Sequence, residues 1–264
     1  MTHQQIVDKL AAKRLVQSID EDLSRLVFNA MSFHKNDTVA QFSYILSPLM
    51  RRWNCVLQAD REISLDYRHK TSLALAVLLH KYGFADKTIT DSALQAIDAL
   101  NKGVVLSDDF FRKSDDIKAF IQSTPVSLKK KPSYAESLTF YRGEDVISFQ
   151  LENKYYAAYI HYIQGVNESP VLEFYDGIFD SVPSLAMLEG LPAKGAIFND
   201  GKSRISLYAV PGMKFLPDMA GQVQLISASV KHKPSNAHLI KPDWEYTLSD
   251  LFNLQKTIQG MFGK

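Results

Sequence analysis

The chain is expected to be an α+β protein: a helical domain over residues 1–124, a linker at 125–135, and a β-rich domain over 136–264. The second domain reads as a small antiparallel barrel-like or curved sheet closed by a C-terminal helix. Three observations predict this. Apolar residues recur at helical spacing up to Ile121; the stretch STPVSLKKKPS at 123–133 interrupts any regular element; and from Leu138 the apolar period falls to two.

Between Ile6 and Phe28 the residues Ile6, Leu10, Leu15, Ile19, Leu23 and Leu26 stay near one stripe, which predicts a single amphipathic helix. Asp60–Tyr82 is apolar almost all round at its centre, as a buried helix should be, and Gly83 suits a left-handed cap. Thr90 precedes Asp91, Leu94, Ile97 and Leu100, with Gly103 just beyond. Ser107 then opens a further helix through Ile121, with Asp108 and Asp109 placed in its first turn, where carboxylates meet the positive end of the helix dipole. Together these predict a bundle of five or six helices.

Pro125, Pro132 and Lys129-Lys130-Lys131 mark the boundary, since neither helix nor central strand tolerates that composition. Beyond it Ile147, Phe149 and Leu151 alternate with Val146, Ser148 and Gln150. A turn at Glu152-Asn153-Lys154 then returns the chain as an aromatic strand, Tyr155–Ile163. In the next strand, Val171–Tyr175, Leu172 and Phe174 share one face, so Glu173 is expected to point outward. Further strands are predicted over Arg204–Val210 and Gln222–Val230. Thr247-Leu248-Ser249-Asp250 resembles a capping box ahead of Leu251, Leu254, Ile258 and Met261.

Composition narrows the function classes. With 46% hydrophobic and 22% charged residues, the 264-residue chain can fill a core. The longest purely apolar run, Leu73–Leu79, falls far short of the roughly 20 residues that cross a bilayer. The opening MTHQQIVDKLAAKR has no secretory apolar region and Cys55 is the only cysteine, so a cytoplasmic protein is expected. The net charge of +1 conceals an asymmetry. Residues 1–143 hold 20 Lys/Arg and 16 Asp/Glu; 144–189 hold eight acidic groups against Lys154; 190–264 hold nine basic and five acidic groups. An acidic segment between basic flanks can steer a basic partner to one surface.

Motifs for chemistry are sparse. The seven histidines form no H-E-x-x-H pair, no G-x-S-x-G elbow occurs, and both phosphate-cradling glycine patterns are missing. Cys55 follows Arg51 and Arg52, which could lower its pKa, although a lone cysteine is usually just buried. No catalytic residue, metal or cofactor is assigned. A metal-dependent hydrolase would have to gather Glu144, Asp145, Glu173 and Asp176 around a divalent cation. A nucleic-acid-binding regulator would use Lys129–Lys131, Arg51 and Arg52, whereas the acidic surroundings of Tyr155, Tyr156, Tyr159 and Tyr162 argue against phosphate contacts there. The same aromatics beside carboxylates suit a protein interface.

The run Arg142–Leu185 resembles the Immunity protein 26 family of bacterial polymorphic-toxin systems. The resemblance is carried by Gly143-Glu144-Asp145-Val146, then Phe149 and Leu151, Lys154-Tyr155-Tyr156-Ala157 after a tight turn, and Phe174, Phe179-Asp180 and Pro183-Ser184-Leu185. It implies a protein that inhibits a cognate protein toxin by direct binding, with no catalysis and no cofactor. The residues expected to meet the toxin are Glu168, Glu173, Asp176 and Asp180, aided by Tyr155 and Tyr159, as one exposed acidic and aromatic face. No membrane or nucleic acid enters this reading, and self-association is left open.

Overall fold

The computed structural model describes residues 1–59, 63–134, 138–166 and 168–263. The chain divides into two compact units, Met1–Met50 with Val56–Ala135, and Arg51–Cys55 with Glu136–Lys264.

In the first unit, helices α1 (His3–Asp8), α2 (Lys13–Phe33), α3 (Thr38–Leu57), α4 (Leu65–Lys81), α5 (Lys87–Lys102), α6 (Asp108–Arg112) and α7 (Ser114–Gln122) follow in order, the turn Arg51–Cys55 of α3 being grouped with the second unit. The expected single helix from Ile6 to Phe28 is two. Ala11 takes a left-handed φ of 49°, so the chain turns between α1 and α2 while Ile6, Leu10 and Leu15 all stay buried. The expected Asp60–Tyr82 helix starts at Leu65, because the hydroxyl of Ser64 accepts from the Tyr67 N–H at 3.2 Å. Residues 60–62 of that expectation lie outside the described residues. Leu73 to His80 of α4 are buried without a break, which makes it the central helix; α5, α2, α1 and α7 pack on it.

Capping residues fix the other boundaries. Asp86 rather than Thr90 opens α5, its carboxylate accepting from the Ile89 N–H at 3.0 Å. Ser107 caps α6 as expected, but the helix breaks at Lys113 before α7. Gly83 has φ +86°, and a Cβ there would lie 2.8 Å from the Ser127 Cα, so glycine is required by both backbone angle and space. The segment expected as a solvated linker is largely exposed and touches the helices at a few points. Tyr134 stacks edge-on to Phe28 at 5.1 Å, Arg25 lies 4.7 Å over the Tyr134 ring, and the Lys131 ammonium sits 5.3 Å over Phe28.

The second unit is a six-stranded sheet in the order β7-β1-β2-β3-β6-β8. Its strands are β1 (Val146–Leu151), β2 (Lys154–Gln164), β3 (Ser169–Phe174), β6 (Tyr208–Ala209), β7 (Val223–Ser227) and β8 (Thr247–Leu248), while β4 (Ala196–Ile197) and β5 (Ser203–Arg204) form a separate pair. The sheet is open and mixed rather than a purely antiparallel barrel, since β6 and β8 run parallel. The β1–β2 hairpin closes on Leu151↔Lys154, with Glu152 at a left-handed φ of 57° in the two-residue turn. Ile147, Phe149, Ile160, Leu172 and Phe174 build the main core on one face, covered by α9 (Leu251–Phe262) through Leu254 and Ile258. Asp250 is the N-cap of α9, accepting from the N–H groups of Phe252 and Asn253, so Thr247 and Leu248 are free to form β8.

Arg52 belongs to this unit. Its guanidinium grips Asp218 in two-pronged fashion at 3.0 and 2.8 Å, with the two side chains 3% and 8% exposed. Asp218 also accepts from the N–H groups of Gln222 and Val223, both at 3.1 Å, which pins the start of β7. Burial pushes the neighbouring Cys55 thiol up to about 12, overcoming the pull of Arg52. The cysteine is a buried packing residue. Arg52→Ala leaves the Asp218 charge buried with backbone donors alone and should destabilise the β-rich unit by about 3–5 kcal/mol, read as a lower urea midpoint by circular dichroism. An unchanged midpoint would contradict this account.

Candidate functional site

Both faces of the β1–β2–β3 sheet are covered. Opposite the main core, Val146, Ala157, Tyr159, Tyr175 and Leu188 form a second cluster, with Phe179 and Leu191 packed against it. Glu173 lies on that second face, as the alternation along β3 requires. It is not exposed, however: every residue of β3 is buried, and the Glu173 side chain is 0% exposed. Its Oε2 is 2.7 Å from His161 Nε2, and its Oε1 accepts from the Asn236 amide at 3.0 Å. A register shift between Ile160 and Tyr162 places a bulge at His161, on the strand beside Glu173.

Two tyrosines complete this buried polar cluster. Tyr159 is 5% exposed, packs edge-on to His161 at 5.1 Å and donates its hydroxyl proton to the Val230 carbonyl at 3.1 Å. Tyr175 is pushed up to about 12 by burial and by the nearby Tyr159 and Glu173. Glu173 and Tyr159 are therefore interior residues, which corrects their assignment to an exposed docking face. The sequence held no sign of the partners, since His161 and Asn236 stand 12 and 63 residues from Glu173.

The other assigned residues separate into two places. Glu168 is half-buried at the β2–β3 turn, at the far end of β3 from Asp176; at about 3.3 Å per residue along a strand, they are on the order of 25 Å apart. Asp176, Asp180 and Tyr155 stay together. After Tyr175 the chain forms an arch over 176–189 held at defined points. Phe179 and Tyr155 exchange backbone hydrogen bonds at 2.9 and 3.0 Å, and the Asp176 N–H donates to the Pro192 carbonyl at 2.8 Å. Lys154 pairs with Asp180, and Lys194 pairs with Asp176 at 3.0 Å. The lysine ammonium holds the exposed Asp180 carboxyl below the usual carboxylate range. Pro183 and Leu188 turn inward, and α8 (Leu185–Leu188) starts from Ser184.

Besides polar residues, the arch turns four large apolar side chains outward. Ile178 is 51% exposed, Val182 37%, Leu185 41% and Met187 54%, bordered by exposed Asp176, Asp180 and Glu189. Tyr155 lies half-buried at its foot.

The carboxylates invoked for a metal site are not brought together. Glu144 pairs with Lys231, the Asp145 carboxylate accepts from the Arg142 N–H at 2.8 Å, Glu173 is buried on His161, and Asp176 holds Lys194. Among the described residues, no three His, Cys, Asp or Glu side chains stand close enough to hold a metal ion. Of the cations invoked for nucleic acid, Lys129–Lys131 are exposed, but Arg52 is buried on Asp218. Among the described residues no helix is long and apolar enough to cross a membrane. No family model, curated protein or solved structure matches the chain.

Glu173→Ala removes the buried acceptor shared by two half-buried donors and should destabilise the β-rich unit by roughly 1–3 kcal/mol. Glu173→Gln, which keeps one amide oxygen, should have the smaller effect. Urea unfolding of the three proteins decides the matter, and equal midpoints would refute the buried-acceptor account.

Proposed function

We propose that this protein acts by binding another protein through the arch 176–189, as an immunity protein binds its cognate toxin, and performs no chemistry of its own. The observation that supports this most directly is the outward cluster of Ile178, Val182, Leu185 and Met187. Water is a poor environment for four large apolar side chains gathered on one short segment, and such patches mark contact surfaces. The backbone bonds at Phe179 and Asp176 tie the start of the arch to Tyr155 and Pro192, which lowers the ordering entropy lost on docking.

The partner inferred is a protein with an apolar groove rimmed by basic residues. Asp176, Asp180 and Glu189 border the arch, and two of them already hold lysines, so contact area supplies the affinity and charge sets orientation and on-rate. Asp176, Asp180 and Tyr155 remain in this reading, while Glu168 lies too far along β3 to share it.

The probe is the product of the adjacent reading frame, tested for association by biolayer interferometry. Ile178→Asp with Met187→Asp should weaken binding at least about 30-fold, as expected when anchors worth about 2 kcal/mol are lost, without moving the urea midpoint. The association rate should fall as salt rises from 50 to 500 mM. Binding unaffected by the double substitution would sink the arch as the contact surface.

A further inference from the structure

We infer that the interior of the β-rich unit binds ordered water beside the Arg52–Asp218 pair, held by the side chains of Tyr141 and Gln222. Both residues are 0% exposed. Among the described residues the Tyr141 hydroxyl and the Gln222 amide nitrogen have no hydrogen-bond partner. Buried polar atoms of folded proteins are almost always paired, with protein or with ordered water.

The two groups share one neighbourhood. Gln222 Oε1 accepts from Arg52 Nη1 at 3.4 Å, and the Gln222 backbone N–H donates to Asp218 at 3.1 Å. The Thr139 hydroxyl, two residues before Tyr141, donates to the Met213 carbonyl at 2.6 Å. That bond lays Tyr141 beside the segment that carries Asp218 and Gln222. Burial first, and then the Asp218 carboxylate, push the Tyr141 hydroxyl up, so it keeps its proton and needs an acceptor.

The nearby protein groups are already engaged. Asp218 accepts both prongs of Arg52 and the N–H groups of Ala220, Gln222 and Val223. Those donors occupy the roughly four lone-pair sites that a carboxylate offers. Turning the Gln222 amide over would set its NH2 group against the guanidinium, which has only donors. The amide therefore keeps its orientation, and its nitrogen is left to an acceptor that is not protein.

Charge then selects the guest. Two unmet donors would suit a small anion as well as water. The Arg52 charge is spent on Asp218, however, and Asp145 adds a second carboxylate that acts on the Tyr141 hydroxyl. An anion here would be a buried charge without a counter-ion, which is far costlier than a neutral guest. An apolar guest would leave both donors unmet. Water is neutral, accepts from such donors and gives its own hydrogens to nearby acceptors.

Two measurements test this. Tyr141→Phe deletes the hydroxyl and leaves the ring in place. A water-bonded hydroxyl contributes to stability, so the urea midpoint of the full chain should fall; an unmet donor is a net cost, and its deletion would raise the midpoint. A crystal structure of the wild-type chain grown with sodium bromide supplies the second reading. Water oxygens should lie within about 3.2 Å of the Tyr141 hydroxyl and the Gln222 amide nitrogen, with no anomalous signal at the bromine edge. An unchanged or higher midpoint, a bromide peak on these atoms, or no solvent density beside either of them would each overturn the inference. If the variant does not fold, the wild-type crystal alone decides.

Discussion

A carboxylate with no access to water has to be met by donors, and much of the β-rich unit is arranged around that requirement at Glu173. His161 and Asn236 meet it from two different stretches of chain. The chain just before Asn236 lies beside Pro192. There Ser235 accepts from the Ala193 N–H at 2.8 Å and, through it, orders the chain around Lys194, whose own N–H donates to the Phe174 carbonyl. An antiparallel sheet commonly leaves one face to solvent. This one is covered on both, and the second cover is the layer that the Glu173 network holds down.

The arch inherits its shape from that layer. Its entry follows Tyr175, a member of the second cluster, and its exit runs into Leu191, which packs on the same cluster. The flanking ion pairs Lys154–Asp180 and Lys194–Asp176 are solvent-accessible, with Lys194 half-buried, and pairs near the surface contribute at most about 1 kcal/mol. Shape is therefore set by backbone bonds and by the inward side chains Phe179, Pro183 and Leu188, while Ile178, Val182, Leu185 and Met187 stay partly exposed.

How much of this the sequence reveals follows from the range of each interaction. Local signals were legible: the Ser107 cap, the left-handed Gly83, the hairpin at Glu152-Asn153 and the C-terminal helix all depend on residues within a few positions of each other. The turn at Ala11 was hidden because the apolar stripe continues straight through it. The two-residue strands β4 and β8 are too short to carry a period. Glu173 was misplaced for a plainer reason: alternation tells which face a residue occupies, and it is silent on whether that face is covered. The cover comes from residues 175–193 and from around 230–236, and nothing local to β3 announces them.

The grip of Arg52 on Asp218 spans 166 positions of the chain. During synthesis the helix turn that carries this arginine leaves the ribosome long before its acceptor has been made. The β-rich unit must then recruit a piece of chain already wound into helix α3. Its completion waits for Asp218 to be made, so the β-rich unit does not fold from the residues after the sequence-suggested boundary alone.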